Sequence, residues 1–272
     1  MKKVVLITGA SSGIGKRTAL LLVQQGLIVY GAARRLDKMQ DLKEAGVRLL
    51  QMDVTDDSSM IKGVQEIIDA EKHIDVLVNN AGYGSYGALE DVPITEAKHQ
   101  FDVNIFGLAR LTQLVLPQMR SQKSGRIINI SSIGGKIGEP HGSWYHATKF
   151  AVEGLSDSLR MELKQFGIDV VIIEPGAIKT EWNVIAREHL IKVSGNTVYK
   201  DLVSKHAKML KSADKIGSEP VVIAKVIAKA ISSKKPKTRY AAGGGAKLVL
   251  FARRILSDRA FDKLMLNVMR LT

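Results

Sequence analysis

Residues 4–15 read Val-Val-Leu-Ile-Thr-Gly-Ala-Ser-Ser-Gly-Ile-Gly. A continuous apolar run breaks at Thr8-Gly9, and helical spacing of apolar residues runs from Ile14 to Gln25. A strand, a glycine-rich turn and a helix in that order make the element that receives a pyrophosphate. Gly9, Gly13 and Gly15 let the backbone turn tightly and come close to the phosphates at the helix N-terminus. Ser11, Ser12 and Ile14 share that turn and are assigned to the same contact. The spacing G-x-x-x-G-x-G differs from the common G-x-G-x-x-G fingerprint, and a plain strand-to-helix loop is also often glycine-rich. The flanking strand and helix are what make this turn a dinucleotide site.

Outward from the turn, the alternation continues to about residue 175. Val4–Thr8, Ile28–Ala32, Val47–Asp53, Ile74–Asn79, Arg126–Ser131 and Asp169–Glu174 read as strands. Their mostly unbroken Val, Ile and Leu runs suit strands covered on both faces. Ile14–Gln25, Asp37–Ala45, Ser58–Glu71, Thr95–Met119 and Ser143–Phe166 read as helices. Strands alternating with helices predict a parallel sheet with right-handed crossovers. The expected fold is α/β, a doubly wound Rossmann sheet with helices on both faces. No linker, repeat or low-complexity tract interrupts the chain, so residues 1–272 read as one domain. After Pro175-Gly176 the pattern loosens into short helices over 180–215. A helix over 219–233, a last strand over Thr238–Ala241 and a basic helical tail over 243–272 follow.

The second strand ends Tyr30-Gly-Ala-Ala-Arg-Arg35. Sites for NAD place an Asp or Glu there for the ribose hydroxyls. This strand carries no acid, and Arg34 and Arg35 offer guanidinium forks to a 2′-phosphate. NADP(H) is therefore expected in preference to NAD(H). The competing reading is a pair of solvated surface arginines.

The chain has 272 residues, 45% apolar and 25% charged, ordinary for a globular protein. It has no cysteine, which excludes disulfides, thiolate metal sites and a cysteine nucleophile. His141 and His146 lack H-x-x-x-H or H-E-x-x-H spacing, and no metal site is expected. The opening apolar run is too short for a signal peptide, and no stretch approaches the roughly 18 apolar residues that cross a bilayer. A cytoplasmic protein is the expectation. The net charge of +13 is uneven: residues 1–199 hold 23 Lys and Arg against 22 Asp and Glu, and residues 200–272 hold 17 against 5. Lys247, Arg253, Arg254, Arg259, Lys263 and Arg270 stand among Leu, Phe and Met in the tail. That pattern fits peripheral contact with an anionic membrane, or a basic solvated face whose apolar side packs on the domain or a second subunit. No nucleic-acid motif appears, and nucleic acid is not an expected partner.

Further motifs follow in order: Asp53-Val54, Asn79-Asn80-Ala81-Gly82, Asn104, Ser132, Tyr145-x-x-x-Lys149, and Pro175-Gly176 followed by Thr180. Together with residues 8–15 they resemble the short-chain dehydrogenase/reductase family over nearly the whole chain. Each motif alone is weak, and the order and spacing together are specific. The resemblance implies that Asp53 and Val54 border the adenine. It implies that Asn79 and Ala81 steady the strand beside the cofactor, with Asn80 and Gly82 in the same turn. Pro175, Gly176, Ile178 and Thr180 would hold the nicotinamide end. Ser132 would polarise the substrate carbonyl, Lys149 would bond the nicotinamide ribose, and Asn104 would hold a water that relays protons through Lys149.

Tyr145 and Lys149 fall one turn apart on the helix expected from Ser143. Reducing a ketone needs a hydride on carbon and a proton on oxygen. A free tyrosine, with a pKa of about 10, is poorly matched to neutral pH. A cation about 5 Å away, at an effective dielectric near 20, contributes about 3 kcal/mol toward the phenolate. The pair is read as an acid–base unit, against the bland reading of a surface helix pair. The resemblance implies that residues 180–215 cover the substrate and that Tyr83, Ile133, His141, Trp144 and Trp182 contact it, with Tyr86, Ile137, Val184 and Ile185 as further lining. This apolar, aromatic set suits a bulky lipophilic ketone, aldehyde or alcohol. The sequence looks most like family members related to retinol and hydroxysteroid dehydrogenases, and a homodimer or homotetramer is expected on that resemblance. The alternative from another class is a non-catalytic NADP(H)-sensing or scaffold protein on the same fold.

Overall fold

The apolar runs become seven strands: β1 (Val4–Thr8), β2 (Ile28–Ala33), β3 (Arg48–Gln51), β4 (Val76–Asn79), β5 (Gly125–Ile130), β6 (Ile168–Pro175) and β7 (Arg239–Ala242). The helices of this computed structural model are α1 (Gly13–Gln24), α2 (Gln40–Glu44), α3 (Asp57–Glu71), α4 (Ile94–Phe101), α5 (Gly107–Ser121), α6 (Ser143–Leu163), α7 (Glu181–Ser194), α8 (Lys200–Ile216), α9 (Val221–Ser232), α10 (Ala246–Ile255) and α11 (Asp258–Val268). The structure describes residues 2–268, and of residues 213–215 the backbone alone. Arg270, at the end of the basic tail, lies outside the described residues.

Every strand pair is parallel, in the order β3-β2-β1-β4-β5-β6-β7. Alternation along each strand sorts side chains to the two faces. Val5 and Ile7 join Ala19 and Leu22 of α1 and Ile223 and Ile227 of α9. Val4 and Leu6 join Met60 and Val64 of α3 and Leu111 and Val115 of α5. The four apolar side chains of β1 are fully buried, each contributing roughly 1.5–3 kcal/mol by leaving water. This is the doubly wound α/β sheet that the sequence pattern predicts. Its strand order reverses between β1 and β4, which opens a crevice at the carboxyl ends of the strands.

Three elements depart from expectation. The third strand is shorter than 47–53, because Asp53 turns its carboxylate back onto the Thr55 N–H at 2.9 Å and leaves the sheet. The expected helix Thr95–Met119 is two helices joined by a π-helical turn over Asp102–Phe106. A π turn holds one extra residue, which periodicity does not reveal. The 180–215 span forms two substantial helices, α7 and α8, packed on one another.

β7 is clamped to α6 by charge. Arg239 donates to Glu153 at 2.9 Å and to Asp157 at 2.7 Å, and Lys136 pairs with Glu153 at 2.9 Å. At the C-terminus Leu248, Phe251 and Ile255 of α10 are exposed beside Arg253 and Arg254. Among the described residues no helix is long and apolar enough to cross a membrane.

Gly107, where the π turn passes into α5, packs directly on the loop that carries Val54. A Cβ there would stand 2.3 Å from the Val54 carbonyl oxygen, a backbone atom with no room to move. Gly107→Ala should lower the urea unfolding free energy by about 1–3 kcal/mol; an unchanged midpoint and slope would contradict this packing.

Candidate active site

The crevice holds a cavity of about 690 Å³ that starts at the glycine turn and ends among aromatic side chains. At its first end Gly9 and Gly13 have φ of +65° and +53°, conformations that L side chains rarely adopt. A Cβ on Gly15 would lie 2.4 Å from the Gly9 carbonyl oxygen, so the third glycine lets α1 press against the turn. Asn80 braces the turn from β4, donating to the carbonyls of Thr8 at 2.9 Å and Gly9 at 3.2 Å. The N-terminus of α1 has no side-chain cap and no acidic residue in its first turn. Its N–H donors therefore meet the cavity beside Ser11, Ser12 and Ile14 without a competing anion. This cradle fits a pyrophosphate.

Arg34 and Arg35 follow β2 at the cavity edge. Both are exposed, and neither has an ion-pair partner among the described residues. Asp53 and Val54 line the same end, with the Asp53 carboxylate taken by the Thr55 N–H and hydroxyl. Ala81, Gly82, Pro175, Gly176, Ile178 and Thr180 line the middle. Gly15 and Asn104 support the wall from behind and do not line it.

Tyr145 and Lys149 project from α6 into the wall and are both about nine-tenths buried. The Lys149 ammonium donates to the Ile130 carbonyl at the end of β5, 2.9 Å away, and lies 5.8 Å from the Tyr145 ring centre. Ser132 shares the cavity wall with Tyr145 and acts to lower its phenol's pKa. Ser132 Oγ accepts the Gly134 N–H at 3.0 Å, whereas Ser131 points to the other side, against Gly135. Burial pushes the phenol up to about 12, Ser132 opposes this, and the Glu139 carboxylate adds to it. The same burial pulls Lys149 down to about 8, against the nearby Glu153. The expected acidified phenol is thus not what the protein groups alone produce, because desolvation outweighs the cation.

The Asn104 side chain is fully engaged. Its Oδ1 accepts the Tyr83 N–H at 3.1 Å, and its Nδ2 donates to the Tyr83 carbonyl and to Thr148 Oγ1, both at 3.0 Å. The π turn aims it there, fastening the loop after β4 to α6.

The far end of the cavity is lined by Tyr83, Tyr86, Ile133, Ile137, Trp182, Ile185, Met209 and Leu210. Trp182 lies 5.0 Å from the Tyr145 ring. Two expected substrate contacts stand elsewhere. Trp144 packs edge-on against Phe101, and His141 is buried behind the wall, stacked on His206 at 5.3 Å. Burial and His206 bring His141 down to about 4. Helical spacing explains the Trp144 placement, since adjacent residues on a helix do not share a face and its neighbour Tyr145 faces the cavity.

Glu139 and His146 line the cavity without having been singled out as site residues. The Tyr86 hydroxyl donates to Glu139 Oε1 at 2.5 Å, and His146 Nε2 lies 3.7 Å from the same oxygen. Burial acts to raise the Glu139 carboxyl, and His146, His206 and Tyr86 together hold it below the usual range. Glu139 in turn raises the His146 imidazole against burial. Three residues of irregular chain, 140–142, separate Glu139 from the start of α6, so no periodicity marks it.

Residues 3–190 match the family model described as short chain dehydrogenase. The chain belongs to the short-chain dehydrogenase/reductase family. It is 39% identical to a 3-ketodihydrosphingosine reductase from Bacteroides thetaiotaomicron, over 92% of this chain and 91% of that protein. It is 35% identical to an NADPH-dependent 3-dehydrocapnine reductase from Ornithobacterium rhinotracheale, over 95% and 94% of the two chains. The crystal structure of a short-chain dehydrogenase from Streptomyces avermitilis superposes with a TM-score of 0.82 at 34% identity, covering 100% of this chain and 98% of that one. Solved neighbours hold NADP or NAD. The protein is an oxidoreductase of this family, acting on CH–OH and C=O groups with a nicotinamide dinucleotide.

Asn104→Ala removes three hydrogen bonds from a buried loop, a loss of about 1–3 kcal/mol. The expected result is a lower unfolding midpoint with faster amide exchange at residues 82–84. Unaltered exchange at Tyr83 would remove the assigned fastening role.

Proposed function

We propose that this family member uses NADP(H) to interconvert a lipophilic ketone or aldehyde with its alcohol. The observation that carries the reading is a buried phenol, Tyr145, sharing the cavity wall with Ser132 and one helical turn from a buried ammonium, between the phosphate cradle and an apolar pocket. Bound NADP(H) supplies or accepts the hydride at the carbonyl carbon. Side chains do the rest. Ser132 donates a hydrogen bond to the carbonyl oxygen, and Tyr145 gives that oxygen its proton as the alcohol forms. A phenol at about 12 is protonated at pH 7 and ready to donate. Lys149, at about 8, is still a cation there. Its positive charge, one helical turn away, favours the phenolate left behind. In the oxidation direction the same groups act in reverse.

The preference for NADP(H) is supported by two exposed guanidinium groups just after β2, unpaired among the described residues, and by an Asp53 carboxylate already engaged. A relative named as NADPH-dependent points the same way. A lipophilic substrate is supported by the aromatic and aliphatic lining, and by a relative named for reducing 3-ketodihydrosphingosine. We read α7 and α8 as the segment that covers the substrate, since Trp182, Ile185, Met209 and Leu210 come from them.

Tyr145→Phe should cut turnover of a lipophilic ketone by at least about 10³-fold, with NADPH affinity changed by less than threefold; near-normal turnover in that variant would dismiss the proton-transfer scheme. Replacing Arg34 and Arg35 by Ala should weaken NADPH by about tenfold or more while NADH binding moves little. Equal weakening of both cofactors, measured by fluorescence titration, would dispose of the 2′-phosphate assignment.

A further inference from the structure

Leu248, Phe251 and Ile255 of α10 are 73%, 60% and 61% exposed. At about 3.6 residues per turn they fall, with Lys247 and Arg254, on one arc of about 120°. The arc is ordered by chemistry. Leu248, Ile255 and Phe251 follow one another around it, and Lys247 and Arg254 form its edge. Neither of these cations has a carboxylate partner among the described residues. Arg253 points elsewhere: it pairs with Asp258 at 2.7 Å and lies over the Phe261 ring at 5.5 Å. It fastens α10 to α11 and leaves Arg254 in water.

The opposite face of α10 is fixed to the cavity wall. Ala246 is buried, and a Cβ on Gly176 would stand 3.0 Å from the Ala246 nitrogen. The helix also packs on β7 and on the turn Ile133–Gly135. Gly176, Ile133 and Gly134 all line the cavity. Three large apolar side chains grouped on the outward face mark a contact surface, where single ones would not. Their surroundings select the occupant. An apolar stripe bordered by cations matches the boundary between acyl chains and anionic headgroups. Residues 246–268 hold five Lys and Arg against two Asp, which adds to the attraction. A second copy seated symmetrically here would set Lys247 and Arg254 near their own counterparts, and like charges oppose such a contact.

We propose that the outer face of α10 docks on an anionic phospholipid surface. Leu248, Phe251 and Ile255 enter the boundary between headgroups and acyl chains, and Lys247 and Arg254 meet lipid phosphates. The helix has ten residues and lies in the plane of the surface without crossing it. Docking puts the lipid one helix width, about 10 Å, from the cavity wall. It requires neither bound cofactor nor turnover, so its failure would leave the oxidoreductase reading standing.

The test is sedimentation of the whole chain with lipid vesicles. At low salt, vesicles of about one part phosphatidylglycerol to three parts phosphatidylcholine should bind it at least about tenfold more tightly than phosphatidylcholine alone. Salt at about 0.5 M should remove most of that difference by screening the exposed cations. Lys247→Glu combined with Arg254→Glu should bring the two vesicle types within about threefold of each other. Leu248→Ser, Phe251→Ser and Ile255→Ser together should weaken binding to the anionic vesicles at least about tenfold. The thermal unfolding midpoint should stay within about 2 °C in both variants, because every altered side chain is exposed. Absence of binding at low salt, or an anionic preference that survives the charge reversal, overturns the proposal. So does an oligomer, measured by sedimentation velocity without lipid, that the triple serine variant dissociates, since that result gives the face to a second copy.

Discussion

The hydrogen bond from the Lys149 ammonium to the Ile130 carbonyl is the contact on which the site depends. It joins the catalytic helix to the end of a central strand and buries a charge to do so. The burial that pulls Lys149 down to about 8 also pushes Tyr145 up to about 12, because both groups sit in the same poorly solvated wall. Neither shift would arise if α6 stood a few ångströms further from β5. The Arg239 clamp and the Lys136–Glu153 pair hold α6 from the opposite side, so the ionic network at the sheet edge serves the position of the tyrosine.

A second constraint runs through the core beneath the cavity. Asn79 of β4 donates to Asn129 of β5 at 2.9 Å and to Thr112 of α5 at 3.1 Å, and Asn129 donates on to Ser156 of α6 at 2.9 Å. Buried amides are expensive unless bonded, so this chain accepts few registers of strand and helix. Thr8 extends it to β1, where its hydroxyl accepts the N–H groups of Asn80 and Ala81 at 3.1 and 3.0 Å. The phosphate cradle and the proton-handling residues are thereby held in one frame although more than a hundred residues separate them in the chain.

The cavity divides by chemistry along its length. Uncapped helix donors and free guanidinium groups mark one end as a place for anions. Aromatic and aliphatic side chains mark the other, with the Glu139 carboxylate set close to the Tyr145 phenol. In the proposed scheme the reaction takes place where the two meet, in the crevice that the reversal of strand order opens. A doubly wound sheet offers such a place by topology alone, and the side chains at its two ends decide what enters.

Much of this was readable in the sequence because it obeys local rules. The apolar runs of β1, β2, β4, β5 and β6, the glycine turn, and the one-turn spacing of Tyr145 and Lys149 depend on neighbours a few residues away. Their patterns survive in a linear reading. Other features are set by contacts between distant segments. The π turn exists where Asn104 reaches back to Tyr83 and across to Thr148. Trp144 and His141 adjoin the tyrosine in sequence yet face away from the cavity, because α6 and the loop before it turn them toward Phe101 and His206. The amino-acid order by itself determined which chemical groups the protein carries and which elements they ride on. Only the folded chain decided which of those groups lose their water together, and desolvation, a property of the surroundings, moves Tyr145 and Lys149 away from their ordinary ranges.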